Sequence, residues 1–422
     1  MSNKNIKWEK LDNAAILFPA IAGTNMTNVY RISVVLNEKV EEEKLQLALN
    51  SVLPKFPGFK VTLKLGFFWY YFEENNNPAP LVTKEEDYPC KYIDQKKNNE
   101  YLFKVSYYEN RINLEIFHVL ADGVGGINFL LELTYHYLDL AHSSKDSDDI
   151  YYSYNTSINR EDSFLKYYDP EKIKKYPSER AFIVRGEKML PGELGIIHGN
   201  ISVTQLKKVC DSYKVSINEY LVSNFIYSIF HENMQNKKPI SVAVPVNLRP
   251  YFPSTTTKNF FIMVSAEFKP TRMDYTFEEV LDEVSKDLRS KITKEKLTET
   301  LSYNVSNEKN LITRAIPLII KNIAVRSVYK RAALANTSTI TNIGNIKVEP
   351  QFEKYISSFY AILSMSLGQS IKGTICSYKD TLVFTFSSTL VTTKIQRAFF
   401  RQLSWDNLDV FVESNGVYDE KM

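Results

Sequence analysis

The sequence predicts an α/β protein with mixed β-sheets, arranged in at least two lobes. Three observations predict it. Strand-like alternation and amphipathic helical spacing recur along the whole chain. A polar stretch at 142–180 with little periodicity divides that recurrence in two. And 422 residues suggest two to four domains of ordinary size.

The elements follow in order. "YRISVVL" (30–36) reads as a strand. "EKVEEEKLQLALNSVLPKFP" reads as a helix with Val40, Leu45, Ala48, Leu49 and Val52 on one side. Glu41 to Glu43 suit its positive end, and two prolines stop it. "KVTLKLGFFWYYFEENNNPAP" predicts an aromatic-rich hairpin, and 101–117 one or two further strands. A helix is expected after Gly126, running to about Ala141. The 142–180 stretch serves equally as an interdomain linker or a surface excursion.

The second half repeats the pattern. "KVSINEYLVSNFIYSIF" opens with a capping box, Ser216 with Glu219, and "MDYTFEEVLDEVSKDLRSKI" carries its own, Thr276 with Glu279. "PISVAVPVNLRP" and "NFFIMVSAEF" read as strands. Residues 308–335 form a helical region broken near Pro317. Three strands follow between 352 and 390, with turns at Gly368 and Tyr378–Asp380, then a last helix from 392. No short internal repeat is present.

Composition excludes several classes. With 44% hydrophobic and 24% charged residues, the chain reads as an ordinary folded soluble protein. A formal charge of +3 gives no reason to expect nucleic acid as a partner. The N-terminal stretch lacks a signal-peptide pattern and no apolar run spans a bilayer, so a cytoplasmic location is expected. Cys90, Cys210 and Cys376 are far apart, have no metal-like spacing, and are expected to be core thiols. The aromatic load, 27 Tyr and 25 Phe, suits core filling and equally an apolar substrate channel.

One corner draws chemistry. In "RINLEIFHVLADGVGGINFLLELTYHYLDLA", Ile112, Leu114 and Ile116 share a strand face, and His118 sits where sheet gives way to loop. Ligands of α/β proteins bind beyond the carboxyl ends of strands. Asp122 and Gly123 fold the chain. Gly125 and Gly126 permit close backbone approach or positive φ where the next helix starts. Histidine is suited to take and return a proton near neutral pH. Asp122 either orients the imidazole or pairs with an arginine to hold the turn, and the second role is preferred. The competing account of His118 is a histidine satisfied in core or loop. No G-x-S-x-G and no neighbouring cysteine supplies a nucleophile, so a catalytic His118 would activate a substrate group directly. His136 and His142 lack metal-ligand spacing to His118, and no metal site is expected. His198 and His231 carry no strong case.

"FHVLADGVGG" resembles the His-x-x-x-Asp-Gly signature of the CoA-dependent acyltransferase superfamily. That superfamily includes chloramphenicol acetyltransferase, alcohol acetyltransferases, plant hydroxycinnamoyl-type acyltransferases and the condensation domains of peptide synthetases. "WEKLDNAAILFP", "SVAVPVNLRPYF" with "TKNFF", and "STITNIGNI" resemble further segments of bacterial alcohol acetyltransferase-like members, with Thr341 where serine is usual. The likeness thus covers most of the chain in the right order. Two departures stand out: Phe117 replaces the first histidine of condensation domains, and the Asp-Phe-Gly-Trp-Gly segment of the plant enzymes is missing.

The resemblance implies two chloramphenicol acetyltransferase-like lobes with a central channel between them, residues 1–175 carrying the motif and 176–422 forming the second lobe. It implies His118 as general base, Asp122 as structural or orienting partner, and Gly123 beside them. Acyl-CoA would be a cosubstrate, with no permanently bound cofactor, and the acceptor a small alcohol or amine. An acyl carrier protein is the alternative donor, and a non-catalytic binding protein on the same scaffold the alternative class. Oxyanion donors are expected from backbone N–H groups around Gly123–Gly126 or from Ser338, Thr339 and Asn342, and "TSTITNIGN" reads equally as a turn around Gly344. Asn259 and Phe260 are expected to line the channel, with core packing the rival for Phe260. Asn247 and Arg249 are expected to anchor the second lobe against the first, with Arg249 as one partner for Asp122. Lys207, Lys208 and Lys214 suit either CoA phosphates or a solvated helix face. The chain is expected to be a monomer. Residues 311–331, with Ile316, Ile319, Ile320 and Ile323 beside Arg314, Lys321, Arg326, Lys330 and Arg331, read either as a peripheral membrane contact or as a core helix with a solvated edge.

Overall fold

In the computed structural model, which describes residues 8–142, 159–310 and 315–418, strand and helix segments alternate throughout. The first half runs β1 (Trp8–Lys10), α1 (Leu17–Ile21), β2 (Val29–Leu36), α2 (Glu42–Val52), β3 (Val61–Leu65), β4 (Tyr70–Glu74), β5 (Thr83–Lys84), β6 (Phe103–Tyr108), β7 (Arg111–Phe117) and α3 (Gly123–His142). Next come α4 (Ser163–Lys166), β8 (Gly195–Ser202), α5 (Val203–Tyr213), α6 (Ile217–His231), β9 (Ile240–Asn247), β10 (Phe261–Phe268), α7 (Phe277–Lys291) and α8 (Lys294–Lys309). The chain ends with α9 (Leu318–Ala333), β11 (Ser338–Asn345), β12 (Ile356–Leu363), β13 (Ile371–Tyr378), β14 (Thr381–Ser388), α10 (Lys394–Trp405) and β15 (Val410–Ser414). Of the polar stretch, residues 143–158 lie outside the described residues, as do 311–314 of the basic helical region.

Three sheets form. β1-β4-β3 is a small one, β12-β2-β7-β6-β5 has five strands, and β10-β9-β11-β13-β14-β8-β15 has seven. Both larger sheets are mixed: β5 runs parallel to β6, and β11 runs parallel to β9 and β13. Local chemistry sets the helices. Both expected capping boxes are made, at Ser216/Glu219 and Thr276/Glu279, each supplying about 1 kcal/mol at a helix start. α2 buries Leu45, Ala48, Leu49 and Val52, and packs on α3. α3 is buried nearly all round, with Phe129 stacked on Phe59 at 4.1 Å between ring centres.

The buried apolar residues form two clusters. One lies around the five-stranded sheet with α2 and α3, the other around the seven-stranded sheet with α6, α7 and α10. β12 comes from the C-terminal half yet pairs antiparallel with β2. Side chains of the seven-stranded sheet reach its outward carbonyls: Thr374 donates to Ala361, Cys376 to Phe359, Ser387 to Leu363, and Lys372 to Ser364 just beyond its end. An edge strand's free acceptors are thus satisfied without a main-chain ladder. All three cysteines are buried free thiols, and burial raises each pKa, Cys210 and Cys376 to about 12.

Two expectations need correction. α3 starts at Gly123, not after Gly126, because Asp122 caps it: Oδ1 accepts the N–H groups of Val124 and Gly125 at 3.1 and 3.2 Å. Residues 318–331 are not a core helix either, since only Leu318 and Ala333 of α9 are buried.

Candidate active site

His118 is the first residue beyond β7, and its backbone N–H is held by the carbonyl of Asn28 at 2.9 Å. The ring is stacked on Phe18 of α1 at 4.6 Å and tilted against Tyr30 and Phe261 at 4.9 and 5.6 Å. Nδ1 lies 3.0 Å from Oδ1 of Asn259. Asn259 donates through Nδ2 to Asp12 Oδ2 at 3.1 Å, which turns its carbonyl oxygen toward the imidazole. Nδ1 therefore carries the proton and donates to Asn259, leaving the Nε2 lone pair as the basic position. Burial pushes the pKa of His118 below its usual value of 6.5; the Asp122 carboxylate and the Asn259 bond oppose this, and the Lys372 charge adds to it.

The ring borders a small cavity of ≈ 40 Å³, lined also by Tyr30, Gly123, Thr341, Ile343, Ala361, Ile362 and Leu363. Its walls come from both large sheets, through β11 on one side and β2 and β12 on the other. A water or two fills such a volume, so a larger reactant enters only by displacing wall side chains.

Asp122 is saturated. Besides its two helix-capping bonds, it accepts Arg249 Nη1 at 2.8 Å, Nη2 at 3.3 Å and the Phe260 N–H at 3.0 Å. Arg249 also donates to the carbonyls of Thr256 and Lys258, and Asn247 Oδ1 accepts from it. Asn247 and Arg249 thus tie the loop after β9 to the N-terminus of α3. Gly125 and Gly126 have no positive φ; close approach explains them. A Cβ at Gly125 would sit 2.3 Å from the Thr257 carbonyl oxygen, and one at Gly126 2.8 Å from the Tyr30 hydroxyl. That hydroxyl donates to the Asp122 carbonyl at 2.9 Å.

Other expected site residues lie elsewhere. The N–H groups of Val124 and Gly125 go to Asp122 Oδ1 and that of Gly126 to the Asp122 carbonyl, so they do not aim at a reacting oxyanion. Ser338 is buried and donates to the Ile371 carbonyl, and Thr339 bonds Gln369. Asn342 is exposed and accepts the Gly344 N–H across a bulge whose φ of 89° suits glycine. Phe260 is packed edge-on to Phe164 in the core, and Asn259 is a buried partner of His118 rather than a channel wall. Lys207 and Lys208 line a surface groove that shares no residue with the His118 cavity, and Lys214 is a left-handed helix cap. His142 stacks on Tyr355 and contacts Glu38, His198 bonds Thr385, His231 lies beside Glu232, and His136 is pushed down to about 4 by burial.

Sequence reasoning missed Phe18 and Tyr30 as neighbours of His118, Asp12 as the partner of Asn259, and Ile343 as a cavity wall. Asp12 stood inside the quoted "WEKLDNAAILFP", but nothing in that segment points to an imidazole far along the chain.

No family model matches the chain, and no curated protein matches it. Solved structures do. Trichothecene 15-O-acetyltransferase from Fusarium sporotrichioides superposes with a TM-score of 0.63 at 10% identity, covering 96% of each chain. Polyketide synthase associated protein 5 from Mycobacterium tuberculosis gives 0.57 at 13% identity over 94% of this chain and 96% of that one. The starter condensation domain of rhizomide synthetase, solved with C8-CoA and Leu-SNAC, gives 0.59 at 10% identity over 95% of each. The chain has the mixed α/β fold of these acetyltransferase and condensation-domain structures.

Proposed function

We propose that this protein moves an acyl group from a pantetheine thioester to a hydroxyl or amine, with His118 as general base. The observation that carries the reading is an imidazole with Nδ1 tied to Asn259 and its ring on a cavity walled by both large sheets. In this reading residues 1–175 and 176–422 are two lobes meeting at that cavity, with β12 crossing from the second to the first. Nε2 takes the proton from the acceptor. The freed oxygen or nitrogen attacks the thioester carbonyl, and a tetrahedral oxyanion forms. As it collapses, the carbon–sulfur bond breaks and the imidazolium returns the proton to the thiolate. No covalent acyl-enzyme is needed. A hydroxyl is favoured as acceptor, because an alkyl amine arrives already protonated at neutral pH.

Two donors share the pantetheine thioester. Free acyl-CoA is supported by similar folds solved with C8-CoA and with coenzyme A, and the condensation domains among them make a carrier-protein thioester the alternative. The test supplies matched acyl-CoA and acyl-carrier donors against pooled alcohols and amines, and measures thiol release by the wild type and His118→Ala. Acceptor-dependent release lost in the variant is expected, and the better donor decides between the two. Equal release by His118→Ala would remove the base from its role. No release from any donor would favour a binding protein on the same scaffold.

A further inference from the structure

We propose that the outer face of α9 and the tip of the β3–β4 hairpin together form a docking surface for an anionic lipid bilayer. Hydrogen bonds hold the two elements together. The Leu318 N–H donates to the Phe67 carbonyl at 2.8 Å, Lys321 Nζ to the Phe68 carbonyl at 2.9 Å, and Asn322 Nδ2 to the Tyr70 hydroxyl at 2.7 Å. The inward face of α9 is thereby used up.

The outward face is apolar where a folded protein in water has no use for it. Ile319 is 72% exposed, Ile320 56% and Ile323 63%, and the neighbouring hairpin tip exposes Leu65, Phe67 and Trp69. Single exposed apolar residues are ordinary, but a contiguous set on two joined elements marks an interaction surface. At 100° per residue, Lys330 and Arg331 fall on the same outward face as the three isoleucines, about two turns beyond Ile323. α9 contains no Asp or Glu. Lys10 lies over the Trp69 ring at 5.7 Å, so cation and interfacial aromatic also meet on the hairpin side.

This combination selects the occupant. Isoleucine, Phe and Trp enter the boundary between headgroups and acyl chains, while the basic residues meet anionic headgroups. A second copy is a poor fit, because a twofold contact through this face would bring one set of α9 cations against the other. The surface also lies near the proposed base. Arg326 Nε donates to the Ala20 carbonyl of α1 at 2.6 Å, and Phe18 of the same short helix stacks on His118. If His118 is the base, a reactant dissolved in the bilayer is delivered on the α1 side of it. That last step rests on the proposed function; the docking surface does not.

The experiment is flotation of the full chain with phosphatidylcholine vesicles, with and without phosphatidylserine. The wild type is expected to float with the anionic vesicles, to float much less with neutral ones, and to be released by salt. Ile319→Asp with Ile323→Asp should lower the partition at least about tenfold while circular dichroism and melting stay unchanged, since both side chains are exposed. His118→Ala should float as the wild type does, which separates docking from catalysis. Failure of the wild type to float with anionic vesicles overturns the proposal, and so does equal flotation of the double variant. Concentration-dependent dimers broken by the same double substitution would assign this face to self-association and overturn it too.

Discussion

The carboxylate of Asp122 and the guanidinium of Arg249 meet at 2.8 Å, joining the N-terminus of α3 to the loop that follows β9. Every oxygen of Asp122 is already engaged by N–H groups. A carboxylate so committed holds a structure together and has nothing to spare for moving protons. Removing one partner leaves the other as a largely buried, uncompensated charge. Arg249→Met is therefore expected to cost about 3–5 kcal/mol of stability, read as a shift in urea midpoint. Arg249→Lys should restore only part of it, because an ammonium cannot serve Asp122 and the Thr256 and Lys258 carbonyls together.

Asn259 acts through His118. Without its oxygen, Nδ1 loses its partner, and the tautomer that exposes Nε2 is no longer favoured. Asn259→Leu should lower kcat about tenfold to a hundredfold, less than the loss of about 10²–10⁴ expected of His118→Ala. A packing role alone would leave the pH profile in place. Here the Asn259 bond raises the pKa of His118, so the acid limb of the variant should move to lower pH.

How far the sequence spoke depends on distance along the chain. Local signals were readable: the capping boxes, the aromatic hairpin, and the strand that ends at His118 all depend on residues within a few positions of one another. The relay around His118 was not: Asn259 was expected at the channel but not as the partner of Nδ1, and Asp12, Asn259 and Thr341 come from three separate segments that only the folded chain brings together. The segment from Asn342 to Gly344 stayed open between a site and a turn for the same reason. Its spacing fits a site, but the bulge turns Asn342 to solvent and leaves Thr341 and Ile343 on the cavity. The sequence favours a core helix with a solvated edge for α9 over a membrane surface, but the hairpin takes up its inner face and only Leu318 and Ala333 are buried.

The stability–pH curve should carry two opposed slopes. Burial pushes the carboxyl of Asp12 up to about 6, against a usual 3.8. Between those values the folded state binds more protons than the unfolded one. The stabilisation is complete below the lower value and is lost as pH rises through about 6, a change of about 3 kcal/mol. His118 behaves oppositely. Its folded pKa lies below 6.5, so the unfolded state binds more protons in that window and stability rises with pH across it. In denaturation series at several pH values, relative to the wild type, Asp12→Asn should lose the falling component, whereas His118→Ala should lose only its own share of the rising one, because burial also holds His136 and His198 down to about 4 and about 3.

The oxyanion is the last assignment to be tested. Three N–H groups in the first turn of α3 are taken by Asp122, which leaves the first turn short of donors. Thr341 lines the same cavity as His118 and carries a hydroxyl, from a strand of the opposite sheet. A donor fixed on a strand needs no reorganisation as charge develops, and losing one such donor costs about 10²–10³ in kcat. Thr341→Val keeps the shape and removes the hydroxyl, so turnover should fall by about that factor while the melting temperature barely moves. Thr341→Ser should keep most of the rate. If Thr341→Val turns over as fast as the wild type, the charge is met by another group, with the Gly123 N–H at the cavity edge the next to examine.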